Sequence, residues 1–263
     1  MKMKKYFVII ITLLALNQTN AQIKTLDDFI IKNEELKTLT VRIAKNYIMA
    51  GVLPTNKKIA KEFDDDKTKF SDVIVTLTNQ SPNEEIEIEL QKLNLSWMML
   101  GRILSKKYDG NAASKVLDYS EKMLVEIDGI SDMILQSTKL KSVKLLKTSS
   151  NGRMLSQKVL LYYIAHRVKI RHKSISDRFD KAKSELYEVI KVLTDQAQSD
   201  PVLKQDEGIQ LYMDMIKDSY GKVRKTLTMT AKVHPLTANL IVNQLTENFD
   251  LLTNMIYEKF NGE

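Results

Sequence analysis

Apolar residues recur at spacings of three and four along most of the chain, the signature of one buried helical face. Leu36, Leu39, Ile43, Tyr47 and Ala50 form such a stripe and predict a helix over about residues 26–53. Thr25-Leu26-Asp27-Asp28 is a capping-box-like start, and Pro54 ends the pattern. Ile59, Phe63, Phe70, Val73 and Leu77 predict a second helix over about 56–79. Ser81-Pro82-Asn83-Glu84 reads as a capping box with Pro at the first helical position. The third seam that follows is Leu90, Leu93, Trp97, Leu100 and Leu104, which places Trp97 in the core. Asp109-Gly110-Asn111 breaks it, and a fourth helix starts near residue 112.

The pattern then repeats. Residues 59–80, IAKEFDDDKTKFSDVIVTLTNQ, align without a gap on residues 175–196, ISDRFDKAKSELYEVIKVLTDQ, with nine of 22 positions identical at an offset of 116. The same offset pairs Leu39 with Leu155, Tyr47 with Tyr163 and Lys37 with Arg153. It also sets Ile209, Met213, Ile216 and Tyr220 against Leu93, Trp97, Leu100 and Leu104. Asp200-Pro201 and His234-Pro235 open the third and fourth helices of the second copy. A period this long means duplicated domains rather than a solenoid. No alternating apolar and polar run of useful length occurs, so no sheet is expected. The expected fold is all-α: two tandem four-helix-bundle modules over 22–147 and 148–263, related by an internal repeat of offset 116. The fourth helix of the first copy is expected to run almost directly into the second copy, with Ser149–Gly152 as the only interruption.

The first 21 residues differ from the rest. Lys2, Lys4 and Lys5 precede an apolar run from Tyr6 to Leu16, and Thr19-Asn20-Ala21 resembles a cleavage site. This is the three-part pattern of a secretory signal peptide, cut after Ala21, and it implies a periplasmic or secreted protein. The run falls short of the roughly 20 apolar residues that span a bilayer. No stable membrane span is therefore expected after cleavage. Loss of three Lys lowers the net charge from +7 to +4. That is a mild excess, and together with export it argues against nucleic acid. The chain has no Cys, so packing alone must stabilise it, which 263 residues permit. Few Gly and Pro fit a mostly helical chain.

The catalytic inventory is thin, and a non-enzymatic protein without a cofactor is expected. No HExxH, Gly-rich phosphate loop or paired Cys occurs. His166 and His172 are six apart, about 240° round a helix, so they do not share a face for zinc. Covalent haem attachment lacks its Cys, and Met at helical spacing reads as core. The stretch SSNGRMLSQKVLLYYIAHR, residues 149–167, is different. Arg153, Ser156 and Gln157 stand at i, i+3 and i+4, flanking the seam Leu155, Val159, Tyr162 and His166. An Arg fork, a hydroxyl and an amide can donate several hydrogen bonds to a small oxyanion. In the first copy Lys37 and Thr40 keep the cation and the hydroxyl, and Val41 replaces the amide. A polar rung beside a core would look the same in sequence.

Gly152-Arg153-Met154-Leu155-Ser156-Gln157-Lys158 resembles the R-M-L-S-Q-R core of the PilJ-type domain, the N-terminal sensory domain of type IV pili methyl-accepting chemotaxis transducers. RIAKNYIMAG, residues 42–51, looks like the continuation of the same motif. The resemblance implies periplasmic four-helix modules that sense ligands. A related motif in nitrate/nitrite sensor kinases holds its anion with Arg between subunits, which would fall on Arg153, with Lys37 as the weakened counterpart. A homodimer would fit that arrangement. The first copy has lost most of R-M-L-S-Q, and Ser149–Gly152 departs from the family's A-G-R-Q. No second span, signalling coiled coil or kinase follows, so a signal would have to pass to an envelope protein partner. The expected function is an exported sensory or ligand-binding module for a small anion. The alternative is a structural or interaction protein of the cell envelope without a ligand.

Overall fold

The structure is a computed structural model that describes residues 23, 25–138, 140–172 and 174–261. The signal-peptide reading of residues 1–21 lies outside them. Among the described residues the chain is all-α, with no strand. The helices are α1 (Leu26–Val52), α2 (Lys57–Asn79), α3 (Glu84–Leu104), α4 (Gly110–Ser137), α5 (Lys141–Arg167), α6 (Ile175–Ser199), the short α7 (Pro201–Lys204), α8 (Glu207–Thr226) and α9 (Pro235–Asn261).

Local chemistry sets the ends. Thr25 and Asp28 form a reciprocal capping box at α1. Asn56, Asn83 and Asp109 cap α2, α3 and α4 through their side-chain oxygens. The third helix therefore starts at Glu84 behind Asn83, and Pro82 stays outside it. The break between the halves also falls elsewhere than expected. It lies at Thr138–Leu140, and Ser149–Gly152 sits inside an unbroken α5. The 147/148 boundary is thus a point within a helix.

α1 and α5 are the central pair. α1 packs against α2, α4 and α5, and α5 packs against α1, α6 and α9. Both are buried nearly all round, as central helices must be. The buried apolar residues of the two halves accordingly form one continuous core. Gly152 permits the α5–α9 approach, because a Cβ there would overlap the Phe249 ring.

The repeat is visible in the packing. Lys67 lies over the Phe63 ring at 4.4 Å, and its repeat mate Lys183 lies over Phe179 at 5.0 Å. Tyr47 meets Phe63 at 6.1 Å between centroids, and Tyr163 meets Phe179 at 6.5 Å. Beyond α6 the register changes. Asn83 caps Ile86 and Asp206 caps Ile209, a separation of 123 rather than 116. A longer α6, α7 and their linker insert seven residues. Trp97 then corresponds to Tyr220, and both are half-buried rather than core. Ser96 and Ser219 take the fully buried positions beside them. Trp97 stacks on Phe70 at 4.4 Å between centroids and donates its indole N–H to Ser71.

Candidate ligand-binding cleft

Each half carries a cation on its central helix opposite an acid on its last helix. In the first half Lys37 Nζ meets Asp128 at 2.7 Å and Glu34 at 3.0 Å. Burial pulls against the Lys37 ammonium, but the two carboxylates outweigh it and hold its pKa above the ordinary lysine value. In the second half Arg153 pairs with Asp250. The mate of Glu34 is Ser150, so Arg153 lacks a second acid. Its Nε and Nη2 are buried without a partner, as is Ser150 Oγ. Buried orphan donors are uncommon enough to need a cause, such as a bound ion or water.

Gln157 lies one turn on from Arg153 and also faces α9. Its amide donates to Asn243 Oδ1 at 3.0 Å and to Thr246 Oγ1 at 2.9 Å. Its Oε1 accepts from Lys45 Nζ of α1 at 3.1 Å. Lys45 also donates to Asn239 Oδ1 at 2.8 Å. Arg42, Lys45, Glu62, Gln157, Asn243, Thr246, Glu247 and Asp250 line a cleft of about 190 Å³ between the halves.

Lys45 is the unusual group. It is 2% exposed, and among the described residues no carboxylate pairs with it. Burial, with Arg42 nearby, pushes its pKa down to about 8 against the weaker pull of Glu62 and Asp66. Asp66 itself is engaged by Arg42 at 2.8 Å and by Asn46 at 3.0 Å. Neutral oxygens orient the Lys45 amine but supply no countercharge. The repeat mate of Lys45 is the buried Leu161, so this cation has no equivalent in the other half.

Of the five residues expected at a site, two have inward-bonded hydroxyls. Ser156 Oγ donates to the Gly152 carbonyl and Thr40 Oγ1 to the Leu36 carbonyl, each at 2.8 Å along its own helix and fully buried. Gln157 and Lys37 line two different clefts. Arg153 joins the Gln157 cleft through Asp250. Arg42 and Lys45 fall within RIAKNYIMAG, residues 42–51, but outside the expected site. The signal that marks Lys45 is a lysine on a helix whose repeat mate is leucine.

The Lys37 cleft, about 540 Å³, is lined by Glu121, Asp128, Lys158, Lys181 and Glu185 among others. Its charges are largely matched: Lys37 with Asp128, Lys158 with Glu121 at 3.2 Å, Lys181 with Glu185 at 3.7 Å. Elsewhere, His172 Nε2 meets Asp118 at 2.8 Å and Ser174 Oγ meets His172 Nδ1 at 3.3 Å. The Ser174 backbone N–H points at the same nitrogen, at 3.4 Å, so this cluster ties down the turn into α6. Among the described residues no group of His, Asp or Glu is arranged to hold a metal ion. No described helix is long and apolar enough to cross a membrane.

The chain matches no protein-family model, no curated protein and no solved structure.

Proposed function

We propose that this is an exported, non-enzymatic helical-bundle protein that binds a small anion between its halves and passes occupancy of that site to an envelope partner. One observation carries the reading: the Lys45 ammonium is buried at the floor of a cleft with no carboxylate in contact. Leaving a charge so placed is costly, and a bound anion would remove that cost. An anion here would touch α1 of one half and α5 and α9 of the other. Binding would then restrain how the halves sit together, which is the kind of change a partner can read. The resemblance of residues 152–158 to a sensory-domain motif supports the same reading.

A thermal-shift series with nitrate, acetate and phosphate tests it. Saturation at a hundred times Kd stabilises by about 2.7 kcal/mol, or roughly 5–10 °C for a chain of this size. Lys45→Met should remove the response.

A second reading, an envelope scaffold without ligand, is favoured by the Ser156 and Thr40 hydroxyls, which are satisfied within their own helices. It predicts that no anion shifts the melting temperature of the wild type.

A further inference from the structure

The charges of the Lys45 cleft are sorted by depth. Lys45, Gln157 and Thr246 form its floor, at 2%, 1% and 8% exposure. The acids lie outward: the side chains of Glu62 and Asp250 are 25% and 44% exposed, and Glu247 is exposed. Glu247 has no ion-pair partner among the described residues, and Glu62 reaches only Lys58, at 3.9 Å. The buried cation therefore sits at the bottom and the acids lie further out, beside Arg42, whose side chain is 38% exposed and held by Asp66.

Resting on the anion-site reading above, we infer that the cleft takes a small zwitterion of the α-amino-acid type, carboxylate inward and ammonium outward. The carboxylate would take the third Lys45 proton and lie beside the Arg42 guanidinium, since both Gln157 amide protons are already given to Asn243 and Thr246. The ammonium would lie among Glu62, Glu247 and Asp250. Each alternative charge pattern meets one wrong end. A simple cation is repelled by Lys45 and Arg42. A dianion such as phosphate is repelled by Glu247 and Glu62 at the entrance. A monocarboxylate satisfies the floor but leaves Glu247 without a cation, Asp250 being held by Arg153 and Glu62 by Lys58. Size sets a further bound. An apolar cavity of about 150 Å³ takes benzene, with six heavy atoms, so about 190 Å³ suits a ligand the size of alanine.

The test compares three probes on the full chain by calorimetry: alanine, acetate and ethylammonium. Acetate carries only the inward charge, and ethylammonium only the outward one. Alanine should half-saturate at about a fivefold lower concentration than acetate, the yield of a partly exposed ion pair. Ethylammonium should not bind. Glu247→Gln should bring alanine down to the level of acetate, and Lys45→Met should abolish both. Acetate binding as tightly as alanine, or alanine binding unchanged in Glu247→Gln, overturns the zwitterion while the anion reading stands. Binding of neither acetate nor alanine removes both. Far-ultraviolet circular dichroism of each variant separates lost binding from lost folding.

Discussion

Lys45 of the first half donates to Gln157 of the second, Nζ to Oε1 at 3.1 Å, across the contact between the two central helices. The amine is buried, and the groups that hold it carry no charge. Arg42 on α1, and Glu62 and Asp66 on α2, are the charges that act on it. The Lys45 pKa is pushed down to about 8, against 10.5 for the free side chain. Between those values the unfolded chain binds more protons than the folded one, so the Lys45 contribution makes stability rise with pH.

The first prediction isolates that contribution. Tyr162 has its pKa raised by burial and by Glu121, and it acts in the opposite sense above about pH 10. The window is therefore pH 7 to 9.5, read as the difference between wild type and Lys45→Met. Chemical denaturation should show the wild type gaining about 2 kcal/mol relative to the variant over that range. A flat difference would mean that Lys45 keeps its ordinary pKa.

Arg153 and Asp250 supply the second. The Arg side chain is 12% exposed and the Asp side chain 44%, so solvent screens the pair. A double-mutant cycle with Arg153→Ala and Asp250→Ala should give a coupling of about 1 kcal/mol. A coupling near zero would mean that the two residues do not hold each other.

Two glycines give opposite expectations. Gly152→Ala should destabilise by about 1–3 kcal/mol, because the new methyl meets Phe249 across the α5–α9 contact. Gly101→Ala on α3 meets nothing within 4 Å and should stabilise by about 0.5–1 kcal/mol through helix propensity. Urea unfolding of both variants checks the pair. Equal effects would contradict the close approach at Gly152.

Export supplies a fourth. N-terminal sequencing of protein from the cell envelope should begin at Gln22. An intact Met1 on membrane-bound protein would mean an anchor in place of a cleaved signal.

The long helices and the repeat were legible because capping and spacing are local, whereas the α3 start at Glu84, the unbroken α5 and the short α7 that Asp200-Pro201 opens ahead of α8 were not. Thr25, Asn56 and Pro54 act within a few residues of themselves. The register beyond α6 was not legible, for a physical reason. Seven residues are close to two helical turns, so an insertion of that length leaves the spacing of three and four intact. Leu93 can be set against Ile209 or Ile216, and both alignments look apolar. Only the caps Asn83 and Asp206 separate them. Trp97 reads as core for the same reason: a large aromatic on the seam looks buried whether or not Ser96 takes the inner position.

The site was legible in part. Arg153 and Gln157 share a face of α5 and both meet α9. Ser156 does not join them, because a helical hydroxyl can bond the carbonyl four residues back, a choice no spacing reveals. Lys45 was hidden in an apolar stretch. Its importance arises from contact between α1, α5 and α9, which local sequence does not encode.

The most direct test of the central claim is proton-linked calorimetry of acetate binding at pH 8, in two buffers of different ionisation enthalpy. At that pH Lys45 is about half protonated in the free protein. A carboxylate bound against it raises its pKa. The account predicts uptake of about half a proton by the wild type, seen as a buffer-dependent enthalpy, and neither binding nor uptake in Lys45→Met. Equal enthalpies in the two buffers, or unchanged acetate binding in Lys45→Met, would contradict it.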